Sequence, residues 1–318
     1  MSQVEEKKYF PLKKRISHVV EFAFVMLLFG IINLFPFSML HSVARFFRVM
    51  LSPVLNSARR RIRSQVTEIL KITDEKELKR FVNNNLDHTI RSFFELMQSW
   101  KMRRKGFLIK YVTFGEEALA IAEDRSQGVV FAEGHFGNWE IPIPAYASVG
   151  LKIYFAAQKL SNPYVDFMVR KIREGYGGGG AIYLKESEKY VPLLRRKEPI
   201  GLVSDQDAGG EGVFVDFLGK QASTHMGPAV LAYLGKARLV VAFCIFQGKG
   251  RYNFYARTLY RFAGKSDFAS SREAAEKLTQ LWVSEMAKEI RKYPEQYFWV
   301  HRRWKTRPPA EIAAQKAE

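Results

Sequence analysis

The stretch FAEGHFGNWE, residues 131–140, sets His135 and Glu140 five positions apart, with Gly134 and Gly137 close around the histidine. An apolar run ends just before it, so His135 falls where a buried strand gives way to a loop. The glycines let that backbone turn sharply and approach a ligand. Proton abstraction is the chemistry these residues suit. Neutral imidazole is matched to removing a proton near pH 7 from a hydroxyl that attacks an acyl thioester, which makes His135 a general base. The imidazolium then needs a partner at its other nitrogen, and Glu140 supplies it if the chain after Gly137 turns helical and swings back. Backbone N–H groups of the turn, or of the following helix, would meet the oxyanion.

Competing chemistries find less support. H-x4-E offers fewer ligands than a metal centre wants and differs from the H-E-x-x-H spacing. The chain has no G-x-S-x-G elbow and no P-loop, and GYGGGG follows a helical pattern rather than a strand. The glycines at 177–180 read as a flexible loop. On these residues alone, a satisfied histidine and a surface glutamate remain the plain alternative.

The elements that must hold the pair can be read around it. GVVFAEGH, LKIYFAA, GAIYL, PIGLVSDQD, GVFVDFLG, RLVVAFCIF and RYNFYARTLY are strand candidates separated by helical stretches, which predicts an α/β fold with a mixed sheet covered by helices. Before them, 64–110 reads as helical, with Asp74 as an N-cap and Leu78, Phe81, Val82, Leu86, Ile90, Phe93 and Phe94 on one stripe. After them, Ser270 and Glu273 form a capping box that starts a helix stopped by Pro294. Cys244, the only cysteine, sits in an apolar run and reads as a core residue in a reducing compartment.

Fifty Lys and Arg against 32 Asp and Glu give a formal charge of +18, so the partner is anionic: nucleic acid, membrane surface, phosphorylated substrate or acidic protein. Residues 22–40 carry no charge, which makes them a membrane-segment candidate. The basic, apolar-studded residues after them suit anionic headgroups. Basic residues flank both sides, among them Lys7, Lys8 and Lys13 before and Arg45, Arg48 and Arg59 after, so sidedness is not set. The division expected is an anchoring segment with a basic amphipathic helix at 1–63, the α/β domain with a helical cap at 64–309, and a flexible tail at 310–318. A nucleic-acid binder has no use for the apolar run.

GHFGNWE, with NPYVDFMVRKIREGYG, PIGLVSDQDAGGEGVFVDFLGK and YFWVHRRWKTRP in that order, resembles the lipid A late acyltransferases of the H-x4-D/E superfamily. The resemblance implies a glycerolipid acyltransferase-like fold, a donor chain on acyl carrier protein, and as acceptor the 3-hydroxyacyl chain of a phosphorylated lipid A precursor. It also implies no metal or other cofactor, and a place on the cytoplasmic face of the inner membrane among anionic lipids. His135 and Glu140 match the catalytic pair, Arg173 the arginine downstream of NP, and Asp205 the first aspartate of D-x-D. Arg173 suits a phosphate or carboxylate, with Arg170 beside it on the same helix, and Asp205 could position Arg173 or His135. Where family members commonly carry Arg-Pro, this chain has Gln158 and Lys159, so Lys159 is a candidate to supply that charge. Around Trp304, Arg302, Arg303, Lys305 and Arg307 suit a headgroup or substrate phosphate. The residues also leave open a different glycolipid acceptor, or a non-catalytic membrane adaptor.

Overall fold

The computed structural model describes residues 11–104, 106–175, 178–264 and 268–309. Lys7, Lys8 and the tail at 310–318 therefore lie outside the described residues. The chain opens with α1 (Leu12–Asn33), α2 (Leu40–Met50), α3 (Asn56–Leu70) and α4 (Glu75–Gln98). The apolar run 22–40 is not one helix. The first helix starts ten residues earlier and stops before Pro36, whose ring disfavours helical geometry in the residue preceding it. Gln98 closes that end by donating to the carbonyls of Ile32 at 2.6 Å and Phe35 at 2.8 Å. α4 begins at Asp74, whose carboxylate accepts the Glu77 N–H at 2.8 Å. A division at residue 63 falls inside α3, whose Ile62 and Val66 are fully buried in the main core.

There follow α5 (Phe107–Tyr111), β1 (Val112–Phe114), α6 (Glu116–Glu123), β2 (Val129–Glu133), α7 (Pro142–Ser148), β3 (Tyr154–Ala157), α8 (Pro163–Glu174), β4 (Gly180–Tyr183), α9 (Tyr190–Arg195) and β5 (Pro199–Val203). The hairpin β6 (Val213–Phe217) and β7 (Lys220–Thr224) leads to α10 (Gly227–Leu234), β8 (Arg238–Gly248), β9 (Arg251–Tyr260) and α11 (Ser271–Lys292). Seven strands form one sheet in the order β1-β9-β8-β2-β5-β3-β4, parallel throughout except for the β8–β9 pair. This is the mixed α/β sheet the alternation predicts.

The central strands are apolar on both faces because both faces are covered. Side chains alternate along β2, so Val130 and Ala132 enter one core with α10 and α11. Val129 and Phe131 enter the other with α2, α6 and α7. Of the glycines expected to form a free loop, Gly177 lies outside the described residues, while Gly178 and Gly179 pack closely: a Cβ on Gly179 would strike the Tyr154 ring. Asn162 caps α8 by accepting the Tyr164 N–H at 3.0 Å and also donates to His18 O at 2.9 Å, which ties α8 to α1.

Candidate active site

β2 and β5 are parallel neighbours with Glu133 opposite Val203. Two residues further along each strand lie His135 and Asp205, at the carboxyl ends where open α/β sheets bind ligands. His135 Nδ1 and Asp205 Oδ1 are 2.7 Å apart. Gly134 makes that approach possible, since a Cβ there would collide with Met286 Sδ and crowd the Asp205 carboxyl. The Asp205 side chain is 2% exposed and that of His135 21%. Burial pushes the Asp205 carboxyl up, but the charge and hydrogen bonds of His135, with Arg303 further off, hold it below its ordinary value. Tyr297 is buried beside it, and burial together with the Asp205 charge pushes its hydroxyl well up. The His135 ring is packed against Trp139 at 5.0 Å and Phe298 at 5.7 Å between centroids. With Nδ1 held, Nε2 is the atom left for proton exchange.

The partner of the imidazole is thus Asp205, and the expected orienting role of Glu140 is corrected. Asn138 Oδ1 accepts the N–H groups of Glu140 at 2.9 Å and Ile141 at 3.3 Å, and α7 begins only at Pro142. Held in that turn, Glu140 lies before the helix and pairs with α8. Arg173 grips it with both sides of its fork, Nε to Oε2 at 3.0 Å and Nη2 to Oε1 at 2.5 Å. Glu133 is buried nearby, and burial together with the Glu140 charge pushes its carboxyl up to about 8.

The loop amides expected to meet an oxyanion are mostly committed to the loop itself. Phe136 N–H donates to Gly134 O at 2.7 Å, Gly137 to Gln296 O at 3.0 Å and Asn138 to Cys244 O at 2.8 Å. The backbone lies so close to Cys244 O that a Cβ on Gly137, whose φ is +62°, would collide with it. Cys244 itself is buried, and burial pushes its thiol well up.

A buried polar network on α4 holds this loop from behind. Arg91 Nη2 donates to His88 Nδ1 at 2.6 Å, and because arginine can only donate, the His88 proton sits on Nε2 and goes to Gly137 O at 3.0 Å. A neutral ring suits the site, where burial and the Arg91 charge hold His88 well below its ordinary pKa. Arg91 also lies 3.3 Å from Glu95, which accepts Asn138 Nδ2 at 2.6 Å and the Tyr252 hydroxyl at 2.5 Å. Burial pushes the Glu95 carboxyl up even so. Sequence reasoning missed this network, although Asn85, His88, Ser92 and Glu95 recur at helical spacing within the buried stripe.

Of the remaining candidates, Arg170 pairs with Glu174 at 3.0 Å, and Lys159 is exposed in the loop before α8. Arg303 faces inward, contrary to the expected headgroup role: it is fully buried and donates to Ser223 O and Thr224 Oγ1. Asp207 accepts the Thr306 N–H at 3.1 Å and hydroxyl at 2.9 Å, which fixes the C-terminal segment. Among the described residues, no group of three or more His, Cys, Asp or Glu forms a metal-ligand set.

The family model described as bacterial lipid A biosynthesis acyltransferase matches residues 10–306. The chain belongs to this family. It is 27% identical over 209 residues to lipid A biosynthesis acyltransferase 1 of Shigella flexneri, covering 64% of this chain and 62% of that one. To the lipid A biosynthesis myristoyltransferase of Escherichia coli (strain K12) it is 26% identical, over 64% and 61% of the two chains. To the lauroyltransferase of that strain it is 24% identical over 74% of each. The chain thus spans somewhat under two thirds of the length of the first two relatives. Among solved structures it is similar to the 1-acyl-sn-glycerophosphate acyltransferase of Thermotoga maritima, with a TM-score of 0.36 and 11% identity over 80% of this chain and 97% of that one.

Proposed function

We propose that this member of the lipid A acyltransferase family moves a fatty acyl chain from the thioester of acyl carrier protein to the hydroxyl of a 3-hydroxyacyl chain on a phosphorylated lipid A precursor. The observation that carries the reading is the His135–Asp205 pair at the open ends of β2 and β5. His135 Nε2 takes the hydroxyl proton as the oxygen attacks the thioester carbonyl, and Asp205 balances the imidazolium. Collapse of the tetrahedral intermediate forms the ester and breaks the C–S bond, and His135 returns the proton to the leaving sulfur. The Trp139 N–H, which has no acceptor among the described residues, is a loop amide open to the oxyanion. Glu140 fixes the Arg173 fork, and Arg173 contacts a phosphate or carboxylate of a substrate, with Lys159 and Arg170 adding positive charge at that end.

α1 is long and apolar enough to cross a membrane. We place the protein at the inner membrane with the site on the cytoplasmic face, where the basic surface attracts anionic lipids and an acidic carrier. The test is transfer by detergent-purified protein from acyl carrier protein thioesters to a tetra-acylated, Kdo-bearing precursor, read by mass spectrometry. The expected result is one added chain with the wild type and loss of most of the rate with His135→Ala and with Asp205→Ala. Absence of any addition across donors would reject the acceptor.

A further inference from the structure

Two basic motifs stand outside the proposed chemistry, ARRRIR at 58–63 and HRRWKTR at 301–307. Although far apart in the chain, they meet at a cavity of about 440 Å³. Gln65 brings them together. Its amide nitrogen donates to Trp299 O at 2.8 Å and His301 O at 2.9 Å, and its oxygen accepts the Arg303 N–H at 3.0 Å. With Arg303 turned inward, its neighbours Arg302 and Lys305 are left exposed on the cavity wall.

Five cations line this space, Arg60, Arg61, Lys220, Arg302 and Lys305, against one carboxylate, Glu68. Glu68 is engaged by Lys220. Among the described residues no carboxylate lies within salt-bridge reach of Arg60, Arg61, Arg302 or Lys305. Converging like charges repel one another, and a bound anion removes that cost. Arginine forks suit phosphate oxygens, while the hydroxyls of Ser57 and Ser64 on the same wall suit those of a sugar ring. The volume falls in the range of roughly 300–1,000 Å³ typical of small-ligand sites. A concave space of that size suits a headgroup better than the broad face an acidic protein would need.

We propose that this cavity binds a phosphate-bearing sugar headgroup. The proposal rests on the function argued above only in naming the phosphorylated acceptor as the natural source of that headgroup. The C-terminal segment that supplies Arg302 and Lys305 also packs Phe298 against the His135 ring, so one segment touches both the cavity and the proposed base.

The test measures binding, not turnover, so it can fail or succeed independently of the acyl-transfer assay. Glucose 1-phosphate and inorganic phosphate are titrated calorimetrically into the full-length protein in zwitterionic detergent. Phosphatidylcholine vesicles with and without phosphatidate are titrated against the same protein in a second arm. Arg60→Ser with Lys305→Ser removes two exposed cavity cations, and Lys152→Ser with Lys185→Ser removes two exposed cations elsewhere.

The expected result is saturable sugar-phosphate binding, weakened about tenfold or more by the cavity pair and less than about twofold by the control pair. Binding only in the phosphatidate arm, with the same dependence on the cavity pair, would assign the phosphate to a lipid headgroup and overturn the sugar. Equal weakening by both pairs would mean diffuse charge alone and overturn the site. So would sugar-phosphate binding that the cavity pair leaves unchanged.

Discussion

His135 Nδ1 lies 2.7 Å from Asp205 Oδ1 across seventy residues of sequence, because each follows by two residues the register pair Glu133 and Val203. The geometry comes from the sheet, so the pair is as rigid as the ladder beneath it. Glu140 is held on a turn and serves α8 through Arg173. The acidic residue of the H-x4-E motif and the acid that touches the histidine are therefore two different residues.

Asp205→Asn should lower kcat by roughly 100-fold or more with KM changed little, since it removes the charge that balances the imidazolium and alters the hydrogen bond that fixes the ring. Glu140→Gln and Arg173→Lys should each cost activity too, but the double variant should lose little beyond Arg173→Lys alone, because Glu140 acts through the Arg173 fork. Steady-state kinetics on the four variants checks this. Near-wild-type kcat for Asp205→Asn would reject the assignment.

The α4 network should behave as a buried charge pair. Arg91 and Glu95 have side chains 2% and 0% exposed, so removing one partner strands the other. Arg91→Met is expected to cost about 3–5 kcal/mol, and adding Glu95→Gln should recover part of that loss. Asn138→Ala frees the Glu140 and Ile141 amides together with Glu95, so it should reduce both stability and turnover. Denaturant titration beside rate measurement separates the two effects.

Much of this architecture can be read from local pattern. Apolar runs such as RLVVAFCIF announce two-sided strands, and Asp74 and Ser270 announce helix starts that their side chains do cap. β1 escapes because three residues give too short a pattern, and the polar KQAST of β7 has no apolar alternation. The choice between Glu140 and Asp205 as the partner of His135, both of which the residues offer, is legible only in the fold: which strand lies beside β2 is a property of sheet order, and no residue near 135 encodes it. Arg303 misleads because its neighbours Arg302 and Lys305 are exposed, while only the packing under β7 decides that it turns inward.

Glu133 should give the protein an alkaline weakness. Its carboxyl ordinarily titrates near 4.5 and is raised to about 8 in the fold, so between those values the folded state holds the proton more tightly than the unfolded one. Stability from this group is complete at low pH and is lost as pH rises through about 8, at about 1.4 kcal/mol for each pH unit crossed between the two values. Glu133→Gln should melt close to wild type at pH 5 and well above it at pH 9. Parallel melting curves for the two proteins across that window would reject a protonated Glu133.

The behaviour of α1 is open to an equally direct test. Its 22 residues run about 33 Å at 1.5 Å per residue, close to the roughly 30 Å of a bilayer core. Phe24 and Leu27 near its middle are 66% and 62% exposed, although its C-terminal end is fastened to α4 and its polar side to α8. Exposed apolar surface of this extent needs a nonpolar environment. On insertion scales, a charge at the centre of a spanning helix costs about 2.5–3.5 kcal/mol. Phe24→Arg with Leu27→Arg should therefore move the protein from the carbonate-washed membrane pellet to the soluble fraction. Phe46→Arg on the exposed side of α2 should leave it in the pellet while weakening its binding to neutral vesicles. If the α1 variant stays in the pellet and the α2 variant does not, the anchor is α2 resting on the surface, and α1 does not enter the bilayer core.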